Sequence, residues 1–278
     1  MNYFQRFIVK PDSRINLQDS DPDYKDQHKS KKEALKIIEH NNLRLRELQE
    51  LLYAEHKQSL LICLQAIDTG GKDGTINHVL SAMNPQGCRV ACFKKPTSLE
   101  LDHDFLWRAH RDAPAKGEVV IFNRSHYEDV LVVRIHNLVP KAIWRERYAQ
   151  INAMEKYLSE NKIHILKFYL HISKDEQLKR FKQRLDDPSK HWKISMADYS
   201  DREHWDEYKK AFEDMLSKCS TSYAPWFIIP ANHKWFRDLA ISQIIREHLE
   251  GLNMKYPPPS VDIKQIYKQY FKAKKHFS

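Results

Sequence analysis

Short, mostly apolar runs alternate along the chain with longer stretches in which apolar residues recur at helical spacing. The short runs are followed by polar or glycine-containing turns and occupy residues 60–64, 88–93, 118–122, 163–170 and 226–229. A run with few polar interruptions is typical of a strand buried on both faces, and the longer stretches indicate helices. Strands that alternate with helices predict a three-layer α/β/α fold built on a parallel sheet.

The longest helical stretch begins near residue 30 and continues to about residue 56. Ser30 and Glu33 have the spacing of a capping box, in which each side chain bonds the backbone N–H of the other residue. The leucines that follow favour a helix packed on the protein, although a short coiled-coil seam has the same spacing. Further helices are predicted over residues 99–111, 141–160 and 235–249 and after the capping residues Ser173 and Ser200.

No internal repeat or low-complexity linker divides the chain. We therefore expect one domain over residues 30–252. Residues 1–29 are polar and irregular and are predicted to lie on the surface as an extended arm. Residues 253–278 are predicted to form a basic tail.

The most informative stretch follows the first predicted strand and reads AIDTGGKDG, residues 66–74, which we call the phosphate loop. It contains three of the six glycines in the chain. Glycines let backbone N–H groups close around phosphate oxygens, a lysine adds a point charge, and the next helix contributes the positive end of its dipole. The predicted phosphate-binding residues are Thr69, Gly70, Gly71, Lys72, Asp73 and Gly74.

The phosphate loop departs twice from the usual pattern G-x-x-x-x-G-K-[ST]. Ala66 replaces the first glycine, and Asp73 replaces the hydroxyl residue that binds Mg²⁺. On the bare pattern, an ordinary ATP-binding loop and a tight strand–helix turn with an incidental lysine both remain open. Asp68 favours a metal-dependent site, because a carboxylate inside the loop repels a phosphate unless a cation lies between them.

The third predicted strand ends in a second polar group, NRSHYED, residues 123–129. In folds with a phosphate loop, a neighbouring strand delivers a metal-binding acid beside the lysine, and Asn123 occupies that position here. Arg124 has the planar fork that clamps phosphate, and Glu128 and Asp129 follow about one turn later. The structural alternative is a polar strand end in which Arg124 pairs with Glu128. Because the phosphate loop follows a strand of the same predicted sheet, we favour a functional role for residues 123–129.

A basic stretch over residues 179–200 contains a helical pattern that ends at Asp186-Asp187-Pro188. Such a stretch is typical of a mobile lid that closes over phosphates, with Arg184 as the arginine that neutralises their charge. A solvated basic helix face has the same composition and remains the alternative.

The chain of 278 residues carries a net charge of +9, which favours an anionic partner. Nucleic acid, an anionic membrane face and a polyphosphorylated small substrate all satisfy that charge. No apolar run reaches the length of a membrane span, and we expect a cytoplasmic protein.

Together, these motifs resemble the polyphosphate kinase 2 family over residues from about 7 to 249. The resemblance rests on AIDTGGKDGTINHVL, NPQG, FKKPT, HDFLWRAH, IFNRSHYEDVLVVRIH, QRLDDPSKHWK and APWFIIPANHKWFR. Asparagine at the strand tip, with Glu128 and Asp129 after it, is similar to the subgroup called class III, whose members phosphorylate both AMP and ADP.

The resemblance implies reversible phosphoryl transfer between inorganic polyphosphate and AMP or ADP on a P-loop kinase fold similar to thymidylate kinase. It implies Mg²⁺ as cofactor, with Asp68, Asn123 and Glu128 as metal residues. The catalytic residues it implies are Asp68, Lys72, Asn123, Arg124, Glu128, Asp129 and Arg184. Further phosphate-binding residues would be Lys94, Arg134 and Lys193, and the basic track for the polyphosphate chain would include Arg108, Arg111 and Arg134.

Two rival functions remain at this point. An ATP-dependent nucleoside or nucleotide kinase would have the same fold, although the absence of Ser or Thr after Lys72 argues against it. A nucleic-acid-binding protein would also be basic, but it leaves the carboxylates unexplained. We predict polyphosphate and AMP, ADP or ATP as partners, without nucleic acid or membrane, in a homo-oligomer. The leucine-rich helix or the C-terminal segment could supply the subunit contact, and either could equally pack within its own chain.

Overall fold

Five parallel strands form one sheet in the order β2-β3-β1-β4-β5 in the computed structural model, which describes residues 2–26 and 30–275. The strands are β1 (Ser59–Gln65), β2 (Cys88–Cys92), β3 (Val119–Asn123), β4 (Ile163–His171) and β5 (Trp226–Pro230). Every residue of β1 is buried, as the uninterrupted apolar run predicts. The parallel sheet predicted from the sequence is confirmed.

The described residues contain twelve α-helices. They are α1 (Tyr3–Phe7), α2 (Lys31–Glu55), α3 (Lys72–His78), α4 (Ser98–Leu101), α5 (Trp107–Arg111), α6 (Val132–Ile135), α7 (Lys141–Glu160), α8 (Lys174–Leu185), α9 (Met196–Glu203), α10 (Trp205–Cys219), α11 (Lys234–Gly251) and α12 (Ile263–Lys275). The predicted capping box of Ser30 and Glu33 starts α2. The buried face of α2 packs along α11, which confirms a packed helix rather than a coiled-coil seam.

Helices cover both faces of the sheet. Along β1, alternate side chains enter two different apolar clusters. Leu60, Ile62 and Leu64 belong to the cluster that includes the buried residues of α2 and α11. Leu61 and Cys63 point to the opposite face, in a cluster with the end of α7. This alternation confirms the three-layer α/β/α architecture.

The N-terminal segment is more deeply buried than the sequence predicts. Tyr3, Phe7 and Leu17 are all buried, and the Tyr3 ring packs edge-on against Phe236 of α11. The backbone N–H of Val9 donates to the carbonyl of Trp226 in β5, 2.8 Å away. The expectation of an arm lying only on the surface is therefore wrong, because the apolar cluster over residues 3–9 and the single residue Leu17 anchor an otherwise polar segment.

The helix predicted over residues 99–111 is also wrong, because the chain forms α4 and α5 instead. A capping box of Thr97 and Glu100 begins α4. Between the helices, the Asp104 side chain accepts a hydrogen bond from the Leu106 N–H at 2.9 Å and starts a new turn. Short acidic side chains compete with the helix in this way.

The helix start predicted at Ser200 is wrong as well, since Ser200 lies inside α9. The N-cap of α9 is Ser195, whose hydroxyl accepts from the Ala197 N–H at 3.1 Å. The predicted basic tail contains α12, which is exposed over its described side chains. Residues 1, 27–29 and 276–278 of the predicted arm and tail lie outside the described residues. Within residues 2–26 and 30–275, no helix combines the length and apolar character needed to cross a bilayer.

Candidate functional site

The register of the sheet brings the phosphate loop and the polar segment 123–129 together. Leu64 of β1 lies opposite Asn123 of β3, so both segments leave the same edge of the sheet. The backbone N–H of Arg124 donates to the carbonyl of Leu64 at 3.2 Å. The carboxyl ends of parallel strands, where the strand order reverses, are the usual position for ligands in such folds. The site expected from the sequence therefore has its two halves in contact.

The phosphate loop turns tightly from β1 into α3. The N–H of Gly70 donates to the carbonyl of Ile67 at 2.9 Å, and the Lys72 amine donates to the carbonyl of Ala66 at 3.0 Å. Gly71 has φ of 110° and Thr69 has φ of 63°. A β-branched residue with positive φ is strained, and such strain concentrates at functional sites. The buried hydroxyl of Thr69 has no hydrogen-bond partner among the described residues.

Charges of both signs converge on the Lys72 amine. Burial and the neighbouring Arg124 lower its pKa, against the opposing effects of Asp68, Glu128 and Asp73. Arg124 donates to Asp68 at 3.0 Å, so the predicted alternative of an Arg124–Glu128 pair is replaced by an ion pair across the site. Burial raises the pKa of Glu128. The site therefore holds cations for phosphate beside two carboxylates.

Asn123 connects the tip of β3 to the phosphate loop. Its amide nitrogen donates to Asp73 at 3.0 Å, and Lys193 donates to the other Asp73 oxygen at 3.4 Å. Although burial opposes ionisation, these two contacts lower the pKa of Asp73. Lys193 thereby connects the predicted lid to the loop that it was expected to cover.

The predicted lid contains α8, a 3₁₀ turn over Pro188–Lys193 and α9. Arg184, near the end of α8, donates to the carbonyl of Lys193 at 2.9 Å and to Asp198 at 3.3 Å. These bonds hold the 3₁₀ turn against both helices. Its predicted role in neutralising transferred charge stays a prediction.

Asp129 is already engaged by two arginines that sequence reasoning did not connect to it. Arg108 lies 3.3 Å from one carboxylate oxygen and Arg147 lies 3.0 Å from the other. Burial raises the pKa of Asp129, while both arginines oppose that effect. Asp129 thus anchors the polar segment, and its predicted catalytic role stays a prediction.

The other basic residues predicted to bind phosphate either pair with carboxylates or are exposed on the surface. Arg134 pairs with Asp214 at 2.7 Å and lies over the Trp144 ring. Lys94 is exposed at the end of β2. Arg111 pairs with Glu100 and Asp112. Their contribution to phosphate binding stays a prediction.

Two buried arginines behind the phosphate loop were missed. Arg180 donates to the carbonyls of Thr69 at 2.9 Å and Ala231 at 2.5 Å, and its Nε donates to Glu176 at 2.8 Å. Arg237 lies against Gly71 and Gly74. One signal was available for Arg180, which precedes Arg184 by one helical turn in the basic stretch.

A buried ionic network holds the middle of the polar segment 123–129. Lys167 of β4 lies 2.5 Å from Glu155 of α7 and also donates to the Tyr127 hydroxyl at 2.8 Å. Glu155 accepts from Tyr127 at 2.8 Å and is 3.2 Å from His126. All four side chains are fully buried. The network fixes residues directly between Arg124 and Glu128.

The donor set fits a hard divalent cation. Asp68 and Glu128 offer carboxylates at the phosphate loop, and Asn123 offers an amide oxygen. Among residues 2–26 and 30–275, no group of three or more His, Cys, Asp or Glu side chains forms a metal cage. Mg²⁺ is usually held by one or two carboxylates together with substrate phosphates, so a site without a complete protein cage is the expected kind.

Replacing Gly71 with alanine is expected to distort the phosphate loop. A Cβ there would lie 2.0 Å from Nη1 of Arg237, and the residue has φ of 110°. We expect a loss of about 2–4 kcal/mol in the free energy of unfolding, together with lost turnover. Urea denaturation and a phosphotransfer assay measure both effects.

Gly251→Ala is the matched control, because nothing lies within 4 Å of a Cβ at that position. It should leave stability and turnover close to wild type. Equal behaviour of the two variants would contradict the close contact between the loop and Arg237.

Comparison with known proteins identifies the family. Residues 27–257 match the family described as Polyphosphate kinase 2 (PPK2). The chain is 51% identical to an AMP/ADP-polyphosphate phosphotransferase of Meiothermus ruber, over 94% of this chain and 98% of that protein. It is 46% identical to an ADP-polyphosphate phosphotransferase of Rhodopseudomonas palustris, over 83% and 84%.

The fold agrees with this relationship. The crystal structure of Polyphosphate Kinase 2 from Arthrobacter aurescens TC1 superposes with a TM-score of 0.90, at 40% identity, over 95% of this chain and 98% of that one. The phosphate loop, the tip of β3 and the matching sequence thus lead to one conclusion: the chain belongs to the polyphosphate kinase 2 family.

Proposed function

We propose that this protein transfers a phosphoryl group reversibly between inorganic polyphosphate and AMP or ADP, forming ADP and ATP. The observation that carries the proposal is the convergence of Lys72, Arg124, Asp68 and Glu128 where the phosphate loop meets the tip of β3. The relatives named for AMP/ADP-polyphosphate and ADP-polyphosphate transfer support the same donor and acceptors.

In the forward reaction, a terminal phosphate oxygen of the nucleotide attacks the end phosphorus of the polyphosphate chain. The bridging P–O bond of the chain breaks, and the shortened chain leaves with the bonding electrons. A nucleotide phosphate is already anionic near neutral pH, so no strong general base is required. The protein's task is to hold donor and acceptor in line and to stabilise the charge on the transferred group.

The side chains of the site suit that task. The Lys72 amine, held by the carbonyl of Ala66, places a cation at the phosphate loop. Arg124 is fixed by Asp68 and presents its guanidinium beside the amine. The backbone N–H groups of the loop supply further hydrogen-bond donors.

We infer that Mg²⁺ is held by the carboxylates of Asp68 and Glu128, with the amide oxygen of Asn123 as a further metal ligand. When bound, the ion neutralises phosphate charge and gives the two carboxylates a cationic partner. The predicted cytoplasmic location, homo-oligomeric state and domain boundaries stay predictions.

A direct comparison of phosphoryl donors tests the proposal. Purified protein receives AMP or ADP with long-chain polyphosphate, or AMP with ATP, and product nucleotides are separated by chromatography. We expect polyphosphate to support formation of ATP from both acceptors and chelation of divalent cations with EDTA to stop it. If ADP but not AMP is phosphorylated, polyphosphate remains the donor, and AMP is excluded as an acceptor. Turnover with ATP alone would favour the ATP-dependent kinase.

A further inference from the structure

The C-terminal helix α12 lies apart from the domain that contains the phosphate loop. Met254 is buried, whereas every side chain over residues 255–274 is exposed. The backbone N–H of Lys255 donates to the Glu55 carboxylate at the end of α2, 3.2 Å away. Residues 257–259 are three consecutive prolines, which form a stiff, extended spacer. The tail therefore leaves the domain at the end of α2 and carries α12 into solvent.

Large apolar side chains form one face of α12. They recur at helical spacing, and each is between 44% and 61% exposed: Ile263, Ile266, Tyr267, Tyr270 and Phe271. Beside this apolar face, a row of lysines at intervals of four residues consists of Lys264, Lys268 and Lys272. A helix of 13 residues is marginal in water unless its apolar face packs against a surface. We therefore expect α12 to have a partner that is both apolar and acidic.

The outward face of α2 has that composition. Leu35, Leu43 and Tyr53 are large apolar residues on this face, and Leu43 is 62% exposed. The charged residues around them are three carboxylates and two cations: Glu39, Glu47, Glu50, Lys36 and Arg46. The opposite face of α2 already packs along α11 within the same chain. The outward face is therefore the side of α2 that a partner can cover.

The charged rows of the two helices have matching dimensions. Eight residues separate Glu39 from Glu47 on α2, and eight separate Lys264 from Lys272 on α12. Each interval corresponds to about 12 Å along a helix. Arg44 contacts one oxygen of Glu47 at 2.8 Å, but both side chains of this pair are exposed, so exchanging Arg44 for a lysine costs little. The lysine row can thus face these carboxylates while the apolar faces of the helices meet.

We propose that α12 of one copy of this chain docks on the outward face of α2 of a second copy. The apolar faces pack together, and the lysine row lies beside Glu39 and Glu47. A second α12 is a poorer partner, because two lysine rows would repel each other. Each tail leaves its own chain at the end of α2, so two copies can exchange tails and close a two-fold dimer. This assembly is independent of the reaction at the phosphate loop.

Sedimentation velocity over a range of concentrations tests the exchange with the full chain. The wild-type protein should sediment as an assembly of at least two copies. A tail variant, Tyr267→Glu with Tyr270→Glu, places charge on the apolar face of α12 and should weaken association at least about 100-fold. An α2 variant, Leu35→Glu with Leu43→Glu, makes the equivalent change on the outward face of α2 and should weaken association by a similar factor.

A mixture of the two variants identifies which surfaces meet. In a dimer of either variant alone, both contacts contain a damaged surface. A mixed dimer keeps one intact contact, formed by α12 of the α2 variant and α2 of the tail variant. Its other contact contains both damaged surfaces, but a contact already lost through one surface loses little more through the second. The equimolar mixture should therefore associate about tenfold or more strongly than either variant alone.

Leu138→Glu serves as the control, because Leu138 is 63% exposed and lies between α6 and α7, on neither of the two surfaces. It should associate like the wild-type protein, and circular dichroism should show that all variants are folded. A wild-type monomer at every concentration would overturn the exchange, whether or not that monomer binds vesicles containing phosphatidylglycerol. Normal association of the α2 variant, or a mixture that associates no more strongly than its components, would overturn it as well.

Discussion

Replacing Lys72 with alanine is expected to abolish phosphoryl transfer while the protein stays folded. The amine is the cation placed at the phosphate loop, and it lies among Arg124, Asp68 and Glu128. Loss of a charge that stabilises transferring phosphate should reduce kcat by about 10³-fold or more. The side chain makes one hydrogen bond, to the carbonyl of Ala66, so the thermal denaturation midpoint should change little.

Lys116→Ala provides the comparison for this variant. Lys116 is exposed and precedes β3, at the edge of the sheet opposite the phosphate loop. Its loss should affect neither turnover nor stability. Near-normal turnover by Lys72→Ala would refute the assignment of the loop as the phosphate-binding element.

Replacing Lys167 with methionine is expected to cause the largest loss of stability. Lys167 is fully buried and forms an ion pair with Glu155, which is equally buried. Burial opposes ionisation of Glu155, but Lys167 and His126 outweigh it and lower its pKa. Without the amine, a buried carboxylate loses its main counter-charge, at a cost of about 3–5 kcal/mol. Urea denaturation monitored by circular dichroism measures this difference.

The double variant Lys167→Met with Glu155→Gln separates the charge effect from lost packing. Removing both charges should recover part of the stability lost in the single variant. A double variant less stable than the sum of the two single changes would contradict this account. Turnover should also fall in Lys167→Met, because His126 and Tyr127 hold the segment that carries Arg124 and Glu128.

The sequence predicts those parts of the site whose residues directly follow a predicted strand. The glycines and Lys72 of the phosphate loop directly follow the first apolar run, and Arg124 directly follows the third. Parallel pairing then brings the two segments together, because Leu64 and Asn123 are register partners. Local chemistry, together with the expectation that a neighbouring parallel strand faces the phosphate loop, was therefore enough to predict this contact, whereas the strand order and register come from the structure.

The supporting residues depend on contacts between distant parts of the chain. Arg180 bonds Thr69, which is 111 positions away, and nothing in either segment indicates that pairing. Arg237 approaches Gly71 only once α11 has packed beside α3. Glu155 and Lys167 are only 12 positions apart, but they too meet through tertiary packing, that of α7 on β4. Helical spacing predicts which face is apolar, but it does not indicate which buried charges will meet.

The incorrect fold predictions have similarly specific causes. Asp104 interrupts a stretch with helical spacing by bonding the Leu106 N–H, which divides the predicted helix into α4 and α5. Leu17 is an isolated apolar residue in a polar segment, whereas Tyr3 belongs to a short apolar cluster with Phe4 and Phe7 that was grouped with that segment. The break between α4 and α5 therefore depends on a single side chain rather than on a repeated pattern.

Transfer of labelled phosphate tests directly whether polyphosphate donates the phosphoryl group at this phosphate loop. Long-chain polyphosphate labelled with ³²P is incubated with unlabelled ADP, Mg²⁺ and the protein, and ATP is isolated and cleaved to locate the label. We predict label in the γ-phosphate, appearing at the rate at which polyphosphate is consumed and absent with Lys72→Ala. Unlabelled ATP, or label transfer that is equally fast in Lys72→Ala, would contradict phosphoryl transfer from polyphosphate at this phosphate loop.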